Sequence, residues 1–571
     1  MGLFVSPDWV PALPTPPDSI SVEQFMLDEQ YGRIPFADSR DPFTCGISGK
    51  TYSNDQVKER SILLARALSR ELGWKAGSGS EYDKVMGVFA LNTIDTMTVA
   101  YAVHKLDGVV TPSNAAYSAI ELQYQLKDAG ATALFTCIAL LEIALDACKA
   151  VGIPKERVYI LEMPAAPTGA RKKVPFKTVD DFIAEGKNLP AIEPLKWRKG
   201  QGGTQTAFLC YSSGTSGLAI ATYGIDNRIE RGQNGKPAVD VVLGLLPQSH
   251  IYGLVVISFA AVWHGDQVII LPKFELELCL RSIEKYRISM LFLVPPIIIQ
   301  LVTSEAKCKK YDLSCVRRIF TGAAPLGAET AESLQKQYPE WKICQAYGLT
   351  ETCAVVSSSN EKDIWFGSSG SLLPGMRCKL ISIDGTEIEA FDQPGELVIQ
   401  SHSVVLGYLN NDKASTETFL PDMDGHGRWM RTGDEAKFNK APSANVHLTI
   451  TDRIKELIKV QGMQVAPAEL EAHILEHPSV DDCCVIAIPH ERSGETPKAF
   501  VVKSKNVGLE ENDRLIARDI CKFVEKHKAR HKWLGGGVEF VDVIPKSPSG
   551  KILRRLLRDQ DKAKRKEGAK L

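Results

Sequence analysis

Short apolar runs alternate with helix-length segments through most of this 571-residue chain, and no other feature constrains the fold as strongly. From Lys84 the chain reads Lys-Val-Met-Gly-Val-Phe-Ala-Leu, then a helical pattern over 93–106, then Gly108-Val-Val. The next helix opens at Ser118-Ala-Ile-Glu121, a capping box, and stops at Gly130 before an apolar run at 131–137. Further strand-like runs fall at 206–211, 239–246, 268–271, 290–294 and 317–320. Runs this apolar are strands covered on both faces, so the pattern predicts an α/β fold: parallel-rich sheets with flanking helices over residues 1–451. Ligands of such sheets bind beyond the carboxyl ends of the strands. The texture changes near Asp452. A strand-like Leu448-Thr-Ile-Thr precedes it, and a helix with Pro467 in its first turn follows, so residues 452–571 are expected to form a small α+β domain.

Charge and cysteine usage narrow the function classes. Lysines and arginines number 68 against 69 acidic residues, a net charge of −1, so the molecule as a whole does not attract nucleic acid. The thirteen cysteines show no metal-ligand spacing, and Cys483-Cys484 sit together in an apolar run; buried free thiols are the expectation. The most apolar stretch, 290–302, contains Pro295-Pro296 and is too short for a membrane span. The proline-rich start, with Pro11, Pro14, Pro16 and Pro17, has no secretory apolar region. Lysines and arginines crowd 551–570, which reads as a solvated surface helix fraying into a tail.

Several segments carry chemistry. After the run ending at Tyr211 come Ser212, Ser213, Gly214, Thr215, Ser216 and Gly217; glycines permit tight turns, and hydroxyls with exposed amides can ring an anion. Further on stands Gln345-Ala-Tyr-Gly-Leu-Thr-Glu-Thr352. Gly348 lets the chain bend close to a ligand, Thr350 offers a hydroxyl, Glu351 a hard oxygen suited to Mg2+, and Tyr347 a ring to stack on a purine. Arg431-Thr-Gly-Asp434 reads as a turn presenting a carboxylate, the group that commonly holds a ribose diol. Thr451-Asp-Arg-Ile-Lys-Glu-Leu-Ile-Lys459-Val-Gln-Gly462 follows, and near the end Pro545-Lys-Ser-Pro-Ser-Gly-Lys551-Ile-Leu-Arg-Arg555.

The order and spacing of these motifs resemble the ANL superfamily of adenylate-forming enzymes, from about Glu23 to the last residue. Within it the chain is most similar to the 4-coumarate–CoA ligase-like branch and to fungal phenylacetyl-CoA ligases. The resemblance implies an acyl-CoA ligase that uses ATP, Mg2+ and CoA to activate a carboxylic acid, aryl, arylalkyl or medium-chain, through an acyl-adenylate. It implies that Ser212–Gly217 holds the β and γ phosphates, Thr350 the α phosphate and Glu351 the magnesium. Asp434 would take the ribose hydroxyls with Arg453 beside it, and Asp452 would be the hinge of a mobile C-terminal domain. Lys551 would bridge the substrate carboxylate and the α phosphate, while Lys459 and Gly462 would serve the CoA step. His250, Tyr252, Gly322 and Ala323 match segments bordering the acyl pocket.

The chain departs from the family at one place. After Gly217-Leu218 the family continues with Pro-Lys-Gly and a helix bearing a His and an Asn; here Ala219-Ile-Ala-Thr-Tyr-Gly-Ile-Asp follows, and the segment looks shortened. A charge-assisted hydrogen bond to phosphate is worth roughly 1.5–3 kcal/mol, so one missing lysine costs about 10- to 150-fold. A skipped coding piece, a genuine but slow ligase, and a non-catalytic nucleotide-binding homologue all remain open. So does adenylation for a separate carrier protein, although no carrier serine motif follows Lys551. The last residues, Ala569-Lys570-Leu571, resemble the Ser-Lys-Leu address read by the peroxisomal import receptor, giving peroxisome as the expected location and cytoplasm as the alternative.

Overall fold

The computed structural model describes residues 2–10, 16–163, 175–211, 239–382, 384–422, 424–454, 456–460, 463–490, 494–504, 512–546 and 552–568. Their strands form four sheets. The largest has six parallel strands at its centre, in the spatial order Lys342–Leu349, Arg318–Thr321, Met290–Leu293, Val241–Gly244, Gln267–Ile270 and Phe43–Cys45. A second sheet is wholly parallel: Val109–Ser113, Val85–Phe89, Ala133–Thr136 and Val158–Ile160. Every residue of Val85–Phe89 and Met290–Leu293 is buried, which is why these strands read as unbroken apolar runs. Helices Asn54–Leu72 and Thr96–Lys105 share one core with residues of both sheets, and Thr96 to His104 are all buried. Ser118 and Glu121 cap helix Ala119–Asp128 reciprocally, the Ser118 amide donating to Glu121 Oε2 at 2.8 Å.

Two regions differ from the sequence expectation. The run at 206–211 lies beside Val109–Ser113 but pairs with it only as an isolated bridge, Val110 with Phe208. Residues 377–453 supply six strands of a seven-stranded antiparallel sheet that the alternation did not announce, with Arg377–Ile381, Gly395–Ser401, Arg428–Lys440 and Val446–Arg453 around a core of its own and the N-terminal strand Phe4–Val5 added at the edge of Arg377–Ile381. The expected turn at Arg431–Asp434 is instead an irregular stretch inside the long strand Arg428–Lys440. Gly433 takes φ +69° there, and the pairing register slips between Glu396 and Val398 opposite it.

From Ile458 onward the chain forms a separate five-stranded sheet of Met463–Val465, Ile458–Val460, Gly494–Lys503, Val480–His490 and Val538–Phe540. Side chains alternate across strand Val480–His490: Cys483 and Val485 join Leu470, Ile474, Ile516 and Ile520 on one face, while Cys484 and Ile486 join Phe500, Ile544 and Leu557 on the other. The neighbouring cysteines therefore serve opposite faces. All thirteen cysteines are free, and eleven are buried. The basic C-terminal stretch forms the expected helix, Arg554–Gly568, and residues 569–571 lie outside the described residues. Leu557 is buried, and the buried Asp561 pairs with Lys498 at 2.7 Å and Arg565 at 2.6 Å. Its positive charge is thus a solvated face over an anchored seam. No described helix is long and apolar enough to cross a membrane.

Candidate active site

A cleft of ≈ 1700 Å3 opens beyond the carboxyl ends of the large sheet and continues against the small domain. Leu293, Thr321 and Gln345 share one register row of adjacent strands, so the residues that follow them, Pro295, Ala323 and Tyr347, come to the cleft side by side.

The wall formed by the antiparallel sheet carries a buried carboxylate. Asp434 is 5% exposed and accepts a hydrogen bond from the Tyr347 hydroxyl at 2.6 Å; its backbone amide donates to Thr432 Oγ1 at 3.0 Å. Arg453, paired with Asp434 across the two strands, places Nε 3.6 Å from its Oδ1. Burial and then the Asp434 charge hold the Tyr347 hydroxyl well above its usual pKa, so it stays a donor. Tyr347 therefore orients the carboxylate through its hydroxyl, a use that its ring alone did not suggest.

Gly348 sits where strand Lys342–Leu349 meets Ala354–Ser358, and the register slips between Tyr347 and Gly348. A Cβ there would lie 1.6 Å from the carbonyl oxygen of Ala354. That approach turns the chain into the short helical segment Thr350–Thr352, which brings Thr350 and Glu351 to the cleft. Glu351 Oε1 accepts from the Tyr408 hydroxyl at 3.0 Å, and its carbonyl accepts from the Val405 amide at 3.0 Å. Burial first, then the Glu351 carboxylate, raise the Tyr408 pKa and keep that proton in place.

Asp452 ends the antiparallel sheet and touches the small domain. Its Oδ2 accepts from the Ala468 amide at 3.2 Å, satisfying a first-turn donor of helix Pro467–Ile474, and Oδ1 accepts from the Arg453 amide at 2.7 Å. Nearby, Arg554 donates to Glu456 at 2.7 Å and Glu471 at 2.6 Å, while Glu471 also accepts from the Val485 amide at 2.7 Å. Burial raises the Asp452 carboxyl to about 6 against hydrogen bonds that lower it. The shift fixes the sign of a pH effect. The packed arrangement resists ionisation, so its contribution is full below about pH 4 and is lost as pH rises through about 6. Asp452→Asn removes the titration. The expected result is that the Tm of the native chain, relative to the Asn variant, falls between pH 4 and pH 7 by the equivalent of up to about 3 kcal/mol. A Tm difference that stays constant across that range contradicts the assignment.

His250 and Ala323 line the cleft, Ala323 with φ +67°. Tyr252 donates from its hydroxyl to the Phe320 carbonyl at 3.0 Å, and Gly322 packs beneath its ring, with an ideal Cβ 3.5 Å from Cε1. Lys459 is exposed on strand Ile458–Val460, where its amide donates to Glu495 Oε2 at 2.7 Å, and it does not join the cleft lining. Ser212, Ser213, Gly214, Thr215, Ser216, Gly217, Gly462, Lys551, Ala569, Lys570 and Leu571 lie outside the described residues, as does the departing segment after Leu218. Sequence reasoning passed over Tyr408 and Glu471, and it quoted Glu456 and Arg554 without a role. Each acts on a residue distant along the chain, so only the fold reveals it.

Comparison with known proteins agrees with this architecture. The model of the family "AMP-binding enzyme" matches residues 39–409, and that of the "AMP-binding enzyme C-terminal domain" matches 469–551. The acyl-CoA ligase easD of Emericella nidulans is 38% identical over 571 residues, covering 97% of this chain and 99% of that protein. The acyl-CoA ligase AFT1-1 of Alternaria alternata is also 38% identical, covering 100% and 99%. Among solved structures, the anthranilate CoA ligase AuaEII in complex with anthranoyl-AMP superposes with a TM-score of 0.77 at 20% identity, covering 95% of this chain and 98% of that one. ATP-bound MatB from Rhodopseudomonas palustris superposes at 0.75 and 21%, covering 95% and 99%. The chain belongs to the AMP-binding enzyme family, the ANL superfamily of adenylate-forming enzymes. It is accordingly an acid-activating, ATP-dependent, AMP-forming ligase.

Proposed function

We propose that the acceptor in this ligase is the thiol of CoA and that the protein is an acyl-CoA ligase for an aryl, arylalkyl or medium-chain acid. The observation that carries the reading is full-length similarity to fungal acyl-CoA ligases, joined to a cleft bounded by Asp434, Thr350, Glu351 and the hinge residue Asp452. In the first half-reaction a substrate carboxylate oxygen attacks the α phosphorus of ATP, and pyrophosphate leaves with the bond electrons. In the second, the CoA sulfur attacks the acyl carbonyl, AMP leaves, and the thiol proton passes to solvent. Asp434, oriented by Tyr347, accepts from the ribose hydroxyls, with Arg453 beside it. Thr350 meets the α phosphate. Glu351, a hard-oxygen donor at the cleft, fits Mg2+, which when bound would supply positive charge against the phosphates. Ser212–Gly217 cradles the β and γ phosphates.

Residues 452–571 act as the lid. Turning about Asp452 exchanges Lys551 for Gly462 and the Lys459 strand at the cleft, so that one domain serves both half-reactions. Closure protects the acyl-adenylate from water. The peroxisome, reached through Ala569-Lys570-Leu571, is the proposed location, and fungal secondary metabolism the proposed setting. The test is mass spectrometry of products from the purified chain with ATP, Mg2+, CoA and pooled acids. AMP together with one acyl-CoA is expected. A folded protein that yields neither overturns the reading, and AMP without acyl-CoA points to a carrier-protein acceptor.

A further inference from the structure

Beyond the point where activation occurs, the cleft continues as a groove between helices Pro295–Thr303 and Ala328–Gln337. The first helix buries Pro295, Ile297, Ile298 and Leu301 in the main core. Its other face turns Pro296, Ile299 and Val302 to the cleft at three-residue spacing, each half-buried. The second helix buries Ala331 and Leu334 and offers Ala328 and Ser333, again half-buried. An apolar stripe facing small residues across an accessible groove is a surface for an apolar ligand segment.

The strand order says which segment reaches it. Tyr347, Ala323 and Pro295 follow neighbouring strands, so a chain whose carboxylate attacks the phosphate held at Thr350 crosses two strand spacings, about 10 Å, to reach the first helix. At the crossing stands Ala323, exposed and small, with its backbone in the left-handed region. From Pro296 to Val302 the helix adds about 9 Å of apolar wall. The groove is thus continuous with the site, begins at the carboxylate end and extends well past a single ring. Glu329, exposed on the first turn of the second helix and also at the cleft, disfavours a second anionic group in the acid.

Resting on the acyl-CoA ligase reading, we propose that the acid is a monocarboxylic acid with an extended apolar chain, laid along Pro296, Ile299 and Val302, with Val302 setting the accepted length. The experiment measures kcat/KM for acyl-CoA formation with phenylacetic, butanoic, octanoic, dodecanoic and dodecanedioic acids. The native chain and the Val302→Trp and Ser333→Trp variants are compared. The native enzyme is expected to prefer octanoic or dodecanoic acid over phenylacetic and butanoic acids, and to reject the diacid. Both variants are expected to lose about tenfold or more on dodecanoic acid and to keep butanoic acid turnover, which also reports folding. The native series decides by itself should a variant fail to fold. A native preference for phenylacetic acid, or chain acids unaffected by tryptophan in a folded variant, overturns the groove assignment and leaves the ligase reading intact. Absence of acyl-CoA from every acid, pooled aryl acids included, overturns the ligase reading itself.

Discussion

Lys551→Ala is expected to lower acyl-adenylate formation by about 10^2- to 10^3-fold, read as acid-dependent ATP–pyrophosphate exchange, while thioester formation from a supplied acyl-adenylate stays largely intact. The asymmetry follows from charge. Carboxylate attack on ATP brings an anion to a polyanion, and a cation aimed at both is worth most where that charge converges. Thiol attack on a finished adenylate has no such convergence, since the mixed anhydride already carries a good leaving group. The described residues on either side of Lys551 favour the assignment: Lys546 and Ile552 pair as a bridge, and both line the cleft. Lys546 is further held by Asp482 at 2.6 Å, and Arg554 by Glu456 and Glu471, so the flanks are anchored from several directions. Equal loss of both half-reactions contradicts a role confined to the first.

The parts of this architecture that sequence made legible are those where one local rule dominates. Parallel strands covered on both faces leave unbroken apolar runs, and Val85–Phe89, Gln267–Ile270 and Met290–Leu293 fall where such runs stand. The capping box at Ser118 and the proline opening helix Pro467–Ile474 are as local, and both hold. The antiparallel sheet is less legible because its strands carry charge on their outer faces. Arg428–Lys440 carries Arg431, Glu435 and Lys437 outward, and the buried Asp434 and a glycine with positive φ lie among them, so a strand imitates a turn. The C-terminal helix is legible as a basic surface helix but its anchoring is not: lysines and arginines dominate its composition, whereas one buried leucine and the Asp561–Lys498 pair fix it.

Within the site, the motif residues were readable as types, but their partners were not. Glu351 finds Tyr408, Tyr347 finds Asp434, and Arg554 finds Glu471 only when separate sheets and domains come together. Such pairings obey no sequence period. The hydroxyl of Tyr347 shows the consequence: a residue type that suggests ring stacking acts in the structure as a hydrogen-bond donor.

Gly348→Ala is expected to cost more than about 4 kcal/mol of stability or, where the protein still folds, to lower ATP-dependent activation by more than about 100-fold. The reason is not backbone conformation, since Gly348 lacks a positive φ; it is proximity. The added methyl would stand 1.6 Å from the Ala354 carbonyl oxygen, 2.5 Å from its carbon and 2.9 Å from the Val355 Cα, all backbone atoms with no rotamer to escape into. Relief requires separating strand Lys342–Leu349 from Ala354–Ser358. The connection between those strands already holds Cys353 at φ 56° and Ala354 at φ 94°, conformations with little latitude for adjustment. Separation would move Tyr347 away from Asp434 and withdraw Thr350 and Glu351 together, so the proposed ribose and phosphate contacts would fail in one step. Gly203→Ala is the matched control: no atom lies within 4 Å of its ideal Cβ and its φ is not positive, so its Tm and turnover should match the native values. Native-like Tm and turnover in Gly348→Ala would mean that the strand end does not approach Ala354 this closely, and the placement of Thr350 and Glu351 argued from that approach would fall with it.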